Sequence, residues 1–291
     1  MNAESGMRSA GCLTKRRARV WPTEAALLIA LISASALEVI PSAQPQHVFA
    51  DGKRTVEVRL RNDGAETARM AVRLQLLQLT SATATPVGGA RTWKTLIIMP
   101  DQTVLENAVI EFPKLRVSTR FAARWLAAEG KVLGVTEVWA HPDNLLDRLK
   151  LLAGEQPLGL SDATGALRPA LVARGIPVSE LNSAESWSEF RGRLAFVVSK
   201  PEASQGELRL DAGALARTKE GVAVVWFRPR PATSSPMPPL AERVTTGRGA
   251  VVLAPTSMLD KLDRSPAAQL TLVRLAELAL SQPVELLASH P

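Results

Sequence analysis

The apolar period changes partway along the chain, and that change constrains the fold more than any other feature. From Arg54 to Arg61 apolar and charged residues alternate one for one, with Val56, Val58 and Leu60 set against Glu57, Arg59 and Arg61. A period of two puts the first set on one face of a strand and the second on the other. Further extended runs follow at Ala68–Leu79, Thr92–Met99, Thr103–Phe112, Val117–Leu126 and Val132–Ala140. Turn signals separate them, among them Asn62-Asp63-Gly64, Pro86-Val87-Gly88-Gly89, Pro100-Asp101 and Glu129-Gly130-Lys131. Asn, Asp and Gly tolerate a positive φ cheaply, so such clusters reverse the chain. Within the run from Val117, the spacing predicts Val117, Thr119, Phe121, Ala123 and Trp125 on one face. Trp93 is placed in phase with Ile97, and the Trp residues are assigned to the core because each contributes a large apolar area.

Beyond residue 155 the pattern becomes one of short apolar strands alternating with helices. Leu158–Asp162, Ile176-Pro177-Val178, Leu194–Val198, Val222–Phe227 and Gly249–Leu253 read as strands. Ala166–Arg174, Ala184–Phe190, Ala212–Glu220 and Ala267–Leu280 read as helices. Gly175 and Gly221 are their C-terminal stops, while Asp211 and Ser265-Pro266 are N-terminal caps. Leu270, Val273, Ala276 and Leu280 form the stripe of the last helix. Continuous apolar strands between helices imply a mostly parallel sheet covered on both faces. Its ligand edge is then the C-terminal ends of the strands, where Ser161, Asp162, Ser199, Lys200, Glu202, Arg228, Arg230 and Thr256 fall.

The expected fold is therefore two-domain. Residues 44–141 form an antiparallel β-sandwich, 142–154 a linker helix and 155–282 an α/β three-layer sandwich of flavodoxin-like order, with a tail at 283–291. Leu145, Leu146, Leu149 and Leu152 give the linker helical spacing, so it docks. The strand Val56–Gly64, ending Arg-Asn-Asp-Gly, resembles the immunoglobulin-like modules of bacterial envelope proteins. In the second half the strand Leu158–Asp162, the helix to Gly175, Ile176-Pro177-Val178, Phe196–Ser199 and Lys219-Glu220-Gly221-Val222-Ala223-Val224-Val225 together resemble the class I glutamine amidotransferase-like fold. The resemblance covers about 125 residues by this order of elements and implies a nucleophilic Cys flanked by Gly at the turn after the last of these strands. Here that strand ends Trp226-Phe227-Arg228-Pro229, and no His follows before His290. The resemblance thus implies a fold without its amidotransferase chemistry, so no catalytic residue is assigned.

The first 36 residues read as an export signal. Lys15-Arg16-Arg17-Ala18-Arg19 is a basic n-region, Ala25–Ile32 an apolar h-region and Ala34-Ser35-Ala36 a small-x-small site with cleavage expected after Ala36. The apolar run of about 9–12 residues is short of the ~20 of a bilayer span. An uncleaved inner-membrane anchor is the alternative. Cys12 is the chain's one cysteine and lies in the n-region, so the mature chain has none for a disulfide or a thiolate metal site. Much of the formal +7 charge also sits in this segment. Without it 30 basic and 26 acidic groups remain over 255 residues, with no basic run. That balance argues against a nucleic-acid partner. Neither GxGxxG nor GxxxxGKS/T occurs, and no cofactor is assigned.

The expected location is periplasmic or secreted, and the leading expectation is a non-catalytic module with a protein partner in the cell envelope. The Pro-rich segment 229–239 is a candidate partner-binding loop. One rival is a hydrolase or carbohydrate-acting enzyme, with Asp162 and Asp211 as carboxylates or Ser161 and Ser199 as nucleophiles. Another is a small-ligand-binding domain using the same strand-end residues.

Overall fold

A computed structural model describes residues 37–200, 210–229 and 241–281. The signal segment, Glu202, Arg230, nearly all of the 229–239 segment and the tail lie outside the described residues.

Alternation produces strands wherever the sequence carries it. β1 (Leu37–Ile40), β3 (Gly52–Asn62) and β7 (Thr103–Phe112) form a three-stranded antiparallel sheet in the order β1-β3-β7. A second sheet holds β2 (Gln46–Phe49), β4 (Ala68–Leu79), β5 (Ala84–Pro86), β6 (Arg91–Ile98), β8 (Thr119–Leu126) and β9 (Val132–His141). Its order is β2-β9-β8-β4-β5, with β6 also paired to β4. The two sheets close on one core, in which Val56, Val58 and Leu60 of β3 meet Ile110 and Phe112 of β7 and Phe121 and Trp125 of β8. The rings of Phe112 and Phe121 meet edge to face at 5.4 Å. Trp125 is fully buried, and its indole N–H donates to Thr136 Oγ1 at 3.0 Å. A large ring can be buried here because its one polar group is satisfied.

Two phase expectations fail. The β4–β6 register slips at Val72/Arg73, where Val72 faces Lys94 and Arg73 faces Thr92, so Trp93 is the extra residue of a bulge. A bulge moves every later side chain to the other face. Leu96 and Ile98 therefore point inward while Ile97 is 61% exposed. Val117 precedes β8 and is exposed, so Thr119 to Trp125 keep the alternation without it.

Gly134 of β9 has φ +151°, and a Cβ placed there would lie 2.7 Å from the Val39 Cβ of β1. Strain and the close approach both exclude a side chain. Gly134→Ala is expected to cost about 1–2 kcal/mol, read as a lowered urea midpoint at unchanged m. An unchanged midpoint would show that β1 does not hold this position.

The second half begins with a 3₁₀ turn, Leu145–Asp147, that runs into α1 (Arg148–Ala153). Leu146, Leu149 and Ala153 are buried, so this segment docks as its spacing predicts. Then come β10 (Leu158–Asp162), α2 (Arg168–Ala173), β11 (Val178–Glu180), α3 (Ala184–Glu189), β12 (Leu194–Val198), α4 (Ala212–Lys219), β13 (Ala223–Arg228), β14 (Glu242–Thr246), β15 (Gly249–Pro255) and α5 (Pro266–Leu280). The sheet order is β11-β10-β12-β13-β15-β14. Pairing is parallel as far as β15, and β14 runs antiparallel on its edge, so the sheet is mixed but mostly parallel. The reason is local. Thr246 pairs with Gly249, leaving a two-residue connection with Gly247 at φ +64°, and a loop that short joins only antiparallel strands.

Both faces of this sheet are covered. Leu158, Phe196, Val225, Phe227 and Val252 share a core with α1, α2 and α5. On the other face Ala195, Val224 and Trp226 pack with Trp187 of α3 and Ala214 of α4. The described residues fall within one compact unit, and α5 also lies against β2.

Candidate functional site

The ends of β10, β12, β13 and β15 bring the predicted edge together. Asp162 pairs with Val198, the Ser199 N–H donates to the Phe227 carbonyl at 2.9 Å, and Arg228 pairs with Pro255. Ser161, Asp162, Ser199, Lys200 and Arg228 therefore sit at one end of the sheet, with Thr256 opening the 3₁₀ turn after β15.

Two of these residues have partners within the fold, Asp162 and Ser199. The carboxylate of Asp162 accepts five hydrogen bonds. Oδ1 takes Thr164 N–H (3.1 Å), Thr164 Oγ1 (2.9 Å) and Gly165 N–H (2.9 Å). Oδ2 takes Leu167 N–H (2.8 Å) and Arg168 N–H (3.1 Å). The last two are free N–H groups at the start of α2, so Asp162 caps that helix across the loop. Burial alone would raise its pKa; the bonds from Leu167, Arg168 and Thr164 outweigh burial and hold it below the usual carboxylate value. A carboxylate so stabilised is a poor proton donor or acceptor near neutral pH. Asp211, the other candidate acid, caps α4 through Gly213 N–H at 2.7 Å. Ser199 Oγ accepts from the Trp226 indole N–H at 2.7 Å.

Sequence reasoning passed over a second constellation. His141, 2% exposed, places Nδ1 2.8 Å from Ser118 Oγ and Nε2 2.9 Å from His47 Nδ1. The imidazoles stack at 5.1 Å, Trp139 stacks on His141 at 6.3 Å, and the Arg120 guanidinium lies 5.8 Å from the Trp139 ring centre. Trp139 is thus half-buried outside the strand core, with a histidine and an arginine against its ring. The pairing of β2 with β9 creates the ladder, because it sets His47 beside Trp139 and Phe49 beside His141. The three polar residues are separated by 94 and 23 positions, and no local signal joins them.

The Ser118–His141–His47 order is that of a nucleophile, a base and an orienting group. Its electrostatics do not suit that work. Burial, and after it the neighbouring His47, pushes His141 down to about 4; burial and then Arg274 of α5 lower His47. A base so weak is far from the match to ambient pH that general-base catalysis favours. The ladder instead ties β2, β9 and the approach to β8 together.

Among the described residues no group of three or more His, Cys, Asp or Glu is placed to hold a metal ion, and no helix is long and apolar enough to cross a membrane.

No family model and no curated protein matches this chain. Solved structures match it over limited stretches. The Pseudomonas fluorescens alkylpurine DNA glycosylase AlkC, bound to DNA containing an abasic site analog, is 10% identical over 37% of this chain and 31% of its own, with a TM-score of 0.29. The β-glucosidase of Listeria innocua in complex with gluconolactone is 14% identical over 37% of this chain and 16% of its own, at 0.28. A Niemann-Pick type C2 protein from Japanese carpenter ant is 7% identical over 33% of this chain and 78% of its own, at 0.27. The chain spans less than a third of the glycosylase and less than a fifth of the glucosidase, and likenesses this weak carry neither a fold family nor an activity over to it.

Proposed function

We propose that this chain is an exported bacterial envelope protein that works by interaction, not catalysis. On this reading an immunoglobulin-like strand module stands beside an amidotransferase-like α/β domain that lacks its nucleophile. The observation that carries the reading is the use of the strand-end groups. Asp162 and Asp211 cap helices, Ser199 accepts from Trp226, and the strand that in the family leads to a nucleophile turn runs out at Arg228. Strand order supports the fold assignment. Counted from β10, the five parallel strands lie 2-1-3-4-5, the doubly wound order of flavodoxin-like proteins, with helices on both faces. Export is supported by the basic and apolar segments before Ala36. Leu37, the first residue of the expected mature chain, is already a core residue of β1.

The test is a pull-down from envelope extracts, using the mature chain and a variant lacking 229–239. The chain recovered from the envelope fraction is expected to begin at Leu37, and the deletion to lose the partner that the intact chain retains. Equal recovery by both chains removes the loop from the proposal. Intact chain that retains no partner, or stays in the cytoplasm with its leader, removes the proposal itself.

A further inference from the structure

β7 is ten residues long, pairs with β3 over ten unbroken positions, and has no strand on its other side among the described residues. The phase of its backbone is set at both ends. The Asn62 N–H donates to the Gln102 carbonyl at 3.1 Å, so even-numbered residues turn to β3. The Val109 carbonyl accepts from Arg91 Nη2 of β6 at 3.2 Å, so odd-numbered residues turn away from it. Backbone direction alternates along a strand, and Thr103, Leu105, Asn107, Val109 and Glu111 therefore all aim N–H and C=O at the open edge. Their side chains share the solvent face, where Leu105 is 58% and Val109 55% exposed.

Such an edge recruits another strand unless shortness, a charge, Pro or a bulge blunts it. The other edge strands carry such a device. β1 and β2 have four residues, β5 and β11 three, and β14 five, beginning Glu242-Arg243; β6 is bulged at Trp93. β7 is long and regular and contains no Lys, Arg, Pro or Gly. We propose that β7 pairs antiparallel with β7 of a second copy of this chain, about a two-fold axis at Asn107.

The edge is complementary to itself, which selects a second copy over a foreign strand. With Asn107 on the axis, Leu105 stands opposite the partner's Val109 and Val109 opposite the partner's Leu105. The two exposed apolar residues of each copy thus cover one another, and the amides of the two Asn107 side chains meet between them. Glu111 comes opposite the partner's Thr103, whose cross-strand neighbour Arg61 on β3 carries the complementary charge. The odd-numbered residues of one copy are all opposite odd-numbered residues of the other, so every outward N–H and C=O finds a partner. The intervening charge needs no rearrangement, because Lys94 Nζ already holds both oxygens of Glu106 at 2.9 Å. Arg91 is exposed and gives Val109 a single hydrogen bond, which the N–H of the partner's Leu105 replaces. The pairing involves neither the strand-end residues nor the 229–239 segment, so it stands or falls separately from the envelope reading.

The experiment measures the mass of residues 37–291, which hold every described element, by sedimentation equilibrium up to about 100 µM. A dimer is expected. L105K and V109E lie at exposed positions, and symmetry makes each substitution act twice. Each is expected to raise the dimer Kd at least ~10-fold with Tm unchanged at monomer concentrations. The register is read separately. Residues 37–291 contain no cysteine, and directly opposite hydrogen-bonded residues have Cα atoms about 5.5 Å apart, within disulfide range. Under mild oxidation N107C is expected to give a disulfide-linked dimer, whereas L105C, four residues out of register with its own copy, is not. A monomer at the highest concentration, a dimer that both L105K and V109E leave unchanged, or N107C linking no better than L105C overturns the proposal. N107C that links instead to another protein of an envelope extract assigns the edge to a foreign strand and overturns it too.

Discussion

Lowering the pH from 6.5 to about 4 is expected to remove on the order of 2–3 kcal/mol of stability, through His141. In the unfolded chain this imidazole titrates near 6.5, whereas in the fold it is held at about 4, by burial first and by His47 second. The unfolded state therefore takes up the proton first as pH falls. The contribution is complete above pH 6.5, shrinks through the interval, and stops changing once the native imidazole is itself protonated, near pH 4. His47, lowered by burial and by Arg274, acts in the same direction. The groups that a new charge on His141 would meet are His47 on β2 and Arg120 on β8 with its partner Glu137 at 3.3 Å, while Arg274 on α5 acts on His47. Tm measured against pH checks this. His141→Gln is expected to be less stable than the parent at pH 7.5 and flatter between 6.5 and 4. A parent curve that is level across that interval, or a variant that keeps the parent's slope, rules out this origin.

Asp162→Ala is expected to cost roughly 2–3 kcal/mol at neutral pH, or about 5–10 °C in Tm. The substitution strips the N–H groups of Leu167 and Arg168 of the acceptor that starts α2, and it also releases the Thr164 turn. Asp162→Asn keeps an acceptor without the charge and is expected to recover part of the loss. The pH signature lies lower than that of His141. The folded pKa is below the ordinary 3.8, so the contribution is whole above 3.8 and is lost as pH falls through the folded value. If Asp162 is a catalytic acid and not a cap, the alanine variant keeps its Tm. That result would revive the hydrolase reading.

Most of the element order was legible because its causes are local. Alternation marked β3, β4 and β7, and glycine stops and polar caps marked α2, α4 and α5 within a residue or two. The short strands escaped. β1 and β2 have four residues each and β5 three, and their strand state comes from the partners they meet, β3, β9 and β4. The face of Ile97 was misread because a bulge leaves no mark in composition. The strand-end cluster was legible as a location, but its occupation by caps was not, since a side-chain carboxylate reads the same whether it faces solvent or five N–H donors.

The sequence by itself determined the local period of each stretch, and with it the change from alternating strands to strands divided by helices. It also determined which side chains carry chemistry at all: one cysteine, three histidines and no tyrosine. Tertiary structure alone decided their neighbours. It set His47 beside His141 through a four-residue parallel pairing and turned Asp162 from a candidate acid into a helix cap. Periodicity follows from backbone geometry a few residues at a time, whereas burial and pairing depend on segments that meet only when the sheets close.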